Sequence, residues 1–474
     1  MLLRRALALL FVLAALVSGA VATAQPAATG PHTVYLPLAS SPLVNNGVSP
    51  FGFDFRVYVS NAAMPYVREA QPRWSRAGDL MWADVERVRG VYQWEAAASL
   101  EANIERLRSA GVEPTVVIQH TPAWAQRGPG ARCSPPRPDA VADFARFVRA
   151  AVARYPQVKF WEIWNEPDFT AEQADDSDGF GCWADASLPH YGGEYYGQVL
   201  KQVYPAVKAA NPNAFVLGGA LAYDWPNNQV SLGFLEGILA SGAGNAMDAL
   251  SFHAYGDYGA SDLLLNKATN LRRTLARYGL ANKPLFATEI GVLCTPSPSC
   301  LNGFASRQAN YAARIYAQAV ALDLLGAFWF SLVLPTGNDI GNPQLIDEVN
   351  GTLQPRPAYY AFRNSALLLD SARYIGPPLA EPPPSQYQVV QVLQFRKARS
   401  SFDASRASTL YVLWVPKTDF PLLYNLPVAP GATAVCTDHL SNDVPSRYMC
   451  SDGNRDGLIP RAVNMLPQYV EVLD

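Results

Sequence analysis

Charge is scarce in this sequence, and neither sign is in marked excess. Of the 474 residues 16% are charged, with 37 Lys and Arg against 40 Asp and Glu, and the net charge is −3. A chain without a basic surface cannot neutralise many phosphates, so nucleic acid is excluded as the expected partner. Disorder throughout the chain is excluded as well, because the hydrophobic fraction is 49% and the net charge is small.

Cysteine pairs of the metal-binding type and long apolar runs are also lacking. The six cysteines form no Cys-x-x-Cys pair, which argues against a zinc site, and we expect no metal and no cofactor. Beyond the N-terminus, no apolar run approaches the ~20 residues that cross a bilayer. We therefore expect no membrane span once the N-terminus has been removed.

The N-terminus itself has the pattern of a secretory signal. Two arginines precede an apolar run over residues 6–17, and small residues at 22–24 offer a cleavage site. We predict a signal peptide over residues 1–24, with an uncleaved membrane anchor as the alternative, and a linker with one short strand over 25–47. The mature protein is expected outside the cell or in the cell envelope.

The cysteines of an exported chain are expected to form disulfides when their number is even. Proximity in the sequence pairs four of them locally, and the remaining two form the third bond. The expected disulfides are Cys294–Cys300, Cys436–Cys450 and Cys133–Cys182.

Short apolar runs alternate with amphipathic stretches over residues 48–370. The predicted strands are Phe51–Phe55, Trp74–Trp82, Thr115–Ile118, Phe160–Trp164, Phe215–Leu217, Ala249–His253, Leu285–Thr288 and Phe328–Leu332. The predicted helices are Ala96–Ser109, Asp139–Arg154, Tyr195–Ala210, Leu232–Leu239, Leu263–Tyr278, Ala305–Leu325 and Pro357–Leu368. Eight strands alternating with helices favour an α/β fold, a (β/α)8 TIM barrel. An open doubly wound sheet is the alternative, but no Gly-rich phosphate loop follows the first strand.

After a proline-rich connector over residues 371–385, the pattern changes. In residues 386–474 apolar residues recur at every second position. Strands are predicted at Tyr387–Phe395, Thr409–Val415, Thr433–Cys436 and Tyr469–Leu473. Alternating short strands separated by turns indicate a small antiparallel β-sandwich that forms an accessory domain.

Two acidic segments have features of calcium sites. Residues 452–459 match the first half of a calcium-binding loop, but the twelfth position is Val463 instead of an acid, so we expect a β-turn. The long segment 168–193 carries Asp175, Asp176 and Asp178, which we expect to be solvated in preference to binding calcium.

Two glutamates end predicted strands on the same side of the expected barrel. Pro167 cannot continue a central strand, so Asn165 and Glu166 lie at the C-terminal end of the fourth strand. Glu289 ends the seventh strand and precedes Gly291. The C-terminal strand ends form the active-site face of such barrels. Two carboxylates there can cleave a glycosidic bond, with retention at a separation of ~5–5.5 Å and inversion at ~6.5–9.5 Å.

The motifs Trp-Asn-Glu-Pro at 164–167 and Thr-Glu-Ile-Gly at 288–291 resemble those of the clan A retaining glycoside hydrolases, and the stretch 80–94 is also similar. Family 39, of the β-xylosidase and α-L-iduronidase type, is the nearest resemblance, and family 5-like enzymes are the second. The resemblance covers about residues 48–366. It implies a cofactor-independent enzyme of polysaccharide degradation, with a carbohydrate as its partner.

The same resemblance implies the roles of individual residues. Glu166 would be the acid/base and Glu289 the nucleophile. Asn165 would bind the sugar 2-hydroxyl, while His253 and Tyr255 would face the reacting sugar or touch the nucleophile.

Arg76 resembles the strand-two arginine that keeps the nucleophile ionised, and Arg73 and Arg56 are alternatives for that role. Aromatic and imidazole side chains near strand ends are further candidates for contact with sugar, provided that they point into the barrel mouth. They are His120, Trp124 and Trp329.

Two other classes of function stay open at this stage. A barrel without catalytic activity would bind glycans at the cell surface, and a structural envelope protein would use residues 25–47 as a tether. The substrate sugar, endo or exo action and the oligomeric state do not follow from the sequence.

Overall fold

The computed structural model describes residues 49–55, 60–128, 131–174, 179–222, 229–257, 263–294, 298–334, 342–379, 388–417 and 420–474. The predicted signal peptide, the 25–47 linker, Arg56, residues 175–178 and much of the proline-rich connector therefore lie outside the described residues. In the described part of the chain, no helix combines the length and apolar character that a bilayer crossing requires.

Eight parallel strands close into a barrel in sequence order. They are β1 (Phe51–Asp54), β2 (Trp74–Met81), β3 (Glu113–Gln119), β4 (Phe160–Ile163), β5 (Phe215–Leu221), β6 (Ala249–Asp257), β7 (Leu285–Leu293) and β8 (Gly326–Trp329). Each strand pairs with the next, and β8 pairs with β1 through Phe51 opposite Ala327. This last pairing closes the sheet, so the predicted barrel is confirmed and the open sheet is excluded.

Helices surround the barrel. They are α1 (Met64–Ala70), α2 (Trp82–Val85), α3 (Ala98–Ser109), α4 (Val141–Arg154), α5 (Ala171–Ala174), α6 (Gly193–Ala210), α7 (Gln229–Ala240), α8 (Leu263–Arg277), α9 (Pro298–Leu301), α10 (Phe304–Ala321) and α11 (Pro357–Leu369). The seven predicted ones are α3, α4, α6, α7, α8, α10 and α11, with shifted ends, whereas α1, α2, α5 and α9 were not predicted. The amphipathic pattern of α4 buries Val141, Phe144, Phe147 and Val148 on one face, as its spacing predicts.

The barrel interior is apolar near the N-terminal ends of the strands and polar near their C-terminal ends. Trp74, Leu217, Ala249, Phe286 and Phe328 form the apolar cluster. This packed layer closes the lower part of the barrel, so the polar side chains above it are approached from the C-terminal side.

A second, antiparallel β structure follows the barrel. Its strands are β11 (Arg373–Tyr374), β12 (Gln391–Lys397), β13 (Ser408–Trp414), β14 (Leu422–Pro427), β15 (Thr433–Asp438), β16 (Ser446–Met449), β17 (Leu458–Val463) and β18 (Gln468–Leu473). Six of them form a sheet of order β11-β12-β13-β18-β15-β16, and β14 pairs with β17. Between barrel and sheet, β9 (Ile346–Val349) and β10 (Thr352–Pro355) form a hairpin.

Alternating residues of β13 explain how this sheet packs. Val412 and Trp414 belong to the same apolar cluster as the barrel helices, whereas Leu413 and Val415, the residue directly after β13, pack with Leu426 of the β14–β17 pair. The predicted β-sandwich fold is thus confirmed. β11 lies inside the predicted connector and pairs with β12.

The Asp452 segment connects β16 to β17. The Asp452 carboxylate accepts backbone N–H groups from Gly431 (2.8 Å) and Gly457 (2.9 Å). Burial raises the pKa of Asp452, but these two bonds and those from the backbone N–H groups of Asp456 and Arg455 outweigh it and lower the pKa. The carboxylate therefore has a clear role in shaping this loop.

All three expected disulfides are present: Cys133–Cys182, Cys294–Cys300 and Cys436–Cys450. Cys133–Cys182 joins the loop after β3 to the loop after β4, and Cys182 N–H also bonds Cys133 C=O at 3.2 Å. Both loops flank the C-terminal end of the barrel.

Replacing Cys133 and Cys182 together with serine is expected to lower the free energy of unfolding by about 2–4 kcal/mol, because the unfolded chain loses its cross-link. Denaturant unfolding without reductant measures this loss. The Cys436/Cys450 serine pair is the control: its bond spans 14 residues instead of 49, so its loss should be smaller by about 1 kcal/mol. Equal stability of wild type and the Cys133/Cys182 variant would contradict the expectation.

Candidate active site

The ends of β4 and β7 bring Glu166 and Glu289 together. One carboxylate oxygen from each, and a ring nitrogen of His253, all lie within 4.8 Å of one another. The two glutamates are only 5% and 4% exposed. Trp164 and Glu166 have φ values of 72° and 49°, a left-handed conformation that non-glycine residues seldom adopt. Such backbone outliers cluster at functional sites.

A β-bulge in β7 turns two consecutive side chains into the barrel. Ala287 pairs with Phe252 and Glu289 with His253, so Thr288 is an extra residue between two register positions. Thr288 Oγ1 donates to a buried carboxylate of β4, while Glu289 reaches the C-terminal end of the barrel next to Glu166. A regular strand would send neighbouring side chains to opposite faces, so the bulge is what makes this arrangement feasible.

Arg76 lies at the centre of the charged groups and is fully buried. Its Nε donates to Glu162 Oε2 (2.8 Å), its Nη2 to Asn165 Oδ1 (2.9 Å), and its Nη1 to Glu289 Oε1. Nη1 also lies 3.3 Å from Asp54 Oδ2. A cation that touches Glu289 favours the ionised form of that carboxylate.

The alternative Arg73 does not reach this network. It precedes β2, at the opposite end of the barrel, and its guanidinium lies 5.5 Å from the centre of the Trp74 ring. The other alternative, Arg56, lies outside the described residues. Arg76 is therefore the arginine of β2 that meets Glu289.

His253 and Tyr255, two positions apart on β6, both face the glutamates. His253 Nδ1 lies 2.7 Å from Glu166 Oε1 and 3.6 Å from Glu289 Oε2. The Tyr255 hydroxyl donates to Glu289 Oε2. Burial, followed by the negative charge of Glu289, raises the pKa of Tyr255 well above its usual value of 10. Tyr255 thus stays protonated and donates to Glu289 throughout the ordinary pH range.

Replacing Tyr255 with phenylalanine is expected to lower kcat/KM by roughly 10–100-fold, because a hydrogen bond to a charged group contributes about 1.5–3 kcal/mol. The basic limb of the pH profile should keep its position, since the raised pKa of Tyr255 puts its ionisation above that limb. Tyr204→Phe is the matched control, because that hydroxyl donates to Asp248 on the outside of the barrel (2.9 Å). A basic limb that moves in Tyr255→Phe would contradict this interpretation.

Asn165 is held from two sides. Its Oδ1 accepts from Arg76, and its Nδ2 donates to Gly179 C=O at 2.7 Å. Asn165 therefore links the guanidinium to the long segment after β4, at the rim of the barrel.

His120 and Trp124 follow β3. His120 is buried, with φ 66°, and its backbone carbonyl accepts from Ala83 N–H at 3.1 Å. Trp124 is half-buried, packs edge-on against Trp82, and donates from Nε1 to Glu86 C=O (2.8 Å). These contacts place Trp124 against the loop after β2. Contact of either residue with sugar stays a prediction.

Trp329 is not placed to stack on a sugar, contrary to our expectation. It is fully buried, its ring packs against Tyr311 of α10, and its Nε1 donates to Pro343 C=O (2.7 Å). The reason is strand alternation: Phe328 belongs to the interior cluster, so Trp329 faces the outer helices. The next inward position is Phe330, which is half-buried and packs edge-on against Tyr255 at 6.0 Å.

The sequence analysis missed the buried polar residues that surround the glutamates. Asp54 and Glu162 lie in strands predicted as apolar runs, and no motif marks them. Thr288 belongs to the 288–291 motif, but no role was assigned to it. Phe330 could have been found by extending the alternation of β8 from Phe328.

The chain matches no protein-family model and no curated protein. Its fold is similar to that of a family 39 glycoside hydrolase from the gut symbiont Bacteroides cellulosilyticus WH2, at 19% identity and a TM-score of 0.65, over 90% of this chain and 82% of that chain. The fold is also similar to a GH39 β-xylosidase from Caulobacter crescentus (17%, TM-score 0.55, 90% and 96% of the chains). A GH30 endoxylanase from Clostridium papyrosolvens C71 is a third similar structure (13%, TM-score 0.58, 90% and 96%). At the level of the fold, this chain shares the architecture of family 39 and family 30 glycoside hydrolases.

Proposed function

We propose that this protein is a retaining glycoside hydrolase in which Glu166 is the acid/base and Glu289 the nucleophile. The observation that carries the proposal is the approach of the two carboxylates to within 4.8 Å at the C-terminal end of the barrel. Carboxylate oxygens no more than 4.8 Å apart support retention, because inversion needs a separation of ~6.5–9.5 Å that leaves room for a water between the carboxylates.

The surroundings of the two glutamates support different protonation states. Arg76 and Tyr255 both donate to Glu289, which favours a carboxylate that can attack. Glu166 faces His253 Nδ1, and either member of that contact can hold the shared proton. An acid/base residue gives a proton in the first step and takes one in the second. A neighbour that can share this proton, as His253 can, suits that role.

The reaction follows in two displacements. Glu289 attacks the anomeric carbon while the glycosidic C–O bond breaks and Glu166 gives its proton to the leaving oxygen. Glu166 then takes a proton from a water molecule, the water oxygen bonds to the anomeric carbon, and the bond to Glu289 breaks. The product keeps the anomeric configuration of the substrate, and both glutamates return to their starting forms.

We also propose that the mature protein is exported and acts on polysaccharides or oligosaccharides. The three disulfides support an oxidising compartment. Solved structures similar to this chain include, besides the xylosidase and the endoxylanase, a glucosidase from Croceicoccus marinus and an α-L-arabinofuranosidase from Thermotoga maritima. Xylosides, glucosides and arabinofuranosides are therefore the first substrates to test.

The test is hydrolysis of a panel of aryl glycosides and polysaccharides, with proton NMR of the first-formed sugar. We expect turnover and a product anomer that matches the substrate. Inversion of the anomer would contradict the double displacement. Glycan binding without turnover on any substrate would favour a catalytically inactive, glycan-binding barrel instead.

A further inference from the structure

A buried carboxylate inside the barrel has no part in the two displacements. Glu162 lies on β4, four residues before Glu166, and is fully buried. Its Oε2 accepts from Arg76 Nε (2.8 Å) and lies 2.6 Å from Arg76 Nη2. Its Oε1 accepts from Thr288 Oγ1 at 2.8 Å. Glu162 therefore touches the residue that precedes Glu289 as well as the arginine that contacts it.

A buried ion pair at this position is costly in stability. Interior positions of such barrels are usually filled by bulky apolar side chains, and removing charges from water often costs more than their attraction returns. A buried pair is thus weak evidence for a stabilising role. Its geometry here is specific, because two N–H groups on one edge of the guanidinium face one oxygen of Glu162.

That geometry fixes the orientation of the guanidinium. The arginine side chain is long and has many rotamers, but its five N–H donors lie in one plane. With Nε and Nη2 held by Glu162, Nη1 points towards Glu289 and Asp54. The bulge that turns Thr288 inward lets the same carboxylate bond to the strand of the nucleophile.

We propose that Glu162 is a positioning residue, which holds Arg76 against Glu289 and offsets part of its charge. This inference rests on the proposed function, in which Glu289 is the nucleophile. Arg76 faces three carboxylates, from Asp54 on β1, Glu162 on β4 and Glu289 on β7.

Among the residues that the structure describes, the other titratable groups next to Glu289 are Glu166, which follows β4, and His253 and Tyr255 of β6. Removing the negative charge of Glu162 leaves more of the positive charge of Arg76 uncompensated, so Arg76 stabilises the ionised form of Glu289 more strongly. Glu289 then ionises at a lower pH.

Two variants separate position from charge. Glu162→Gln keeps the shape and an acceptor for Arg76 but loses the charge, so the acidic limb of kcat/KM should move to lower pH while kcat falls less than about tenfold. Glu162→Asp keeps the charge but is shorter by one methylene, so the acidic limb of kcat/KM should keep its position. Its kcat should fall about tenfold or more, since misplacement by ~1 Å can cost about 10²-fold.

Glu471→Gln is the matched control: Glu471 is also buried and accepts from Ser408 Oγ (2.6 Å), but it lies on β18. It should change neither kcat nor the pH profile.

A second readout does not depend on turnover. The Nε–H signal of Arg76 in nitrogen NMR, assigned by its loss in Arg76→Lys, should be protected from solvent exchange in wild type and Glu162→Gln, and exposed in Glu162→Asp. Unchanged kcat and unchanged Arg76 protection in a folded Glu162→Asp protein would overturn the proposal. If the wild type shows no turnover, the proposed function fails, whereas the Arg76 signal still decides whether Glu162 positions the guanidinium.

Discussion

Replacing Glu289 with alanine is expected to lower kcat/KM by about four orders of magnitude or more, because no glycosyl-enzyme bond can form without this carboxylate. The fold should persist, because Arg76 keeps Glu162 and Asn165 as partners and Tyr255 is only half-buried. Initial rates with an aryl glycoside measure the loss. Added azide should restore turnover by occupying the vacated space, and the glycosyl azide should have the anomeric configuration opposite to that of the substrate.

Glu105→Ala is the matched control for this loss. Glu105 is exposed on the outer face of α3, so the same substitution should leave the rate unchanged. If Glu289→Ala keeps more than a few per cent of the activity, or if azide gives no glycosyl azide, another residue must be the nucleophile.

Replacing Glu166 with alanine is expected to slow the reaction about 10²–10⁴-fold, the usual contribution of a general acid/base. The loss should be large for leaving groups that need a proton, and small for dinitrophenolate, which leaves without one. With such an activated substrate the second displacement becomes rate-limiting, so a burst of phenolate should precede a slow steady state. Rapid-mixing absorbance measurements show both phases.

The pH profile gives an independent test of this role. The basic limb should disappear in Glu166→Ala with the activated substrate, because it reports loss of the proton from the acid. Azide should here give a product with the configuration of the substrate, since it replaces the water of the second displacement. Equal losses for good and poor leaving groups would argue against Glu166 as the proton donor.

The sequence predicted the barrel because its signal is repeated eight times. Apolar runs such as Thr115–Ile118 and Leu285–Thr288 are buried on both faces, and such strands are recognisable without knowledge of their neighbours. Glu166 and Glu289 were found by the same local logic. Each is a carboxylate at the end of an apolar run, and Pro167 and Gly291 indicate where the two predicted strands end.

The geometry around the two glutamates was beyond local patterns. Thr288 and Glu289 face the interior together only because of a bulge, which depends on register with β6 and β8. Glu162 lies in an apolar run, and the sequence around it does not reveal its role. Its partners come from β2 and β7, which are far away in the chain. The prediction for Trp329 was wrong for a related reason. Which residue of β8 reaches the barrel mouth depends on the inward direction of Phe328, and an apolar run does not reveal that direction.

The accessory strands that were not predicted have weak local signals. β14 exposes Leu423 almost completely (90%), so its apolar residues do not mark a buried face. β17 contains Pro460 and Arg461, and all four residues of β16 are exposed. Short strands with these compositions form because partners are supplied by the rest of the sheet.

The sheet that follows the barrel packs into the same hydrophobic core as the barrel helices, so the two parts of the chain are not independent modules. Tyr469 Oη donates to Ala313 C=O of α10 (3.0 Å), and Lys397 Nζ donates to Leu368 C=O of α11 (2.7 Å). α10 connects β7, which carries Glu289, to β8. A chain cut after residue 370 would expose the apolar face of α10 and α11 to water, and α10, which follows β7, would lose the strands that pack on its outer side. The barrel therefore cannot be transplanted into another protein without the strands that cover it.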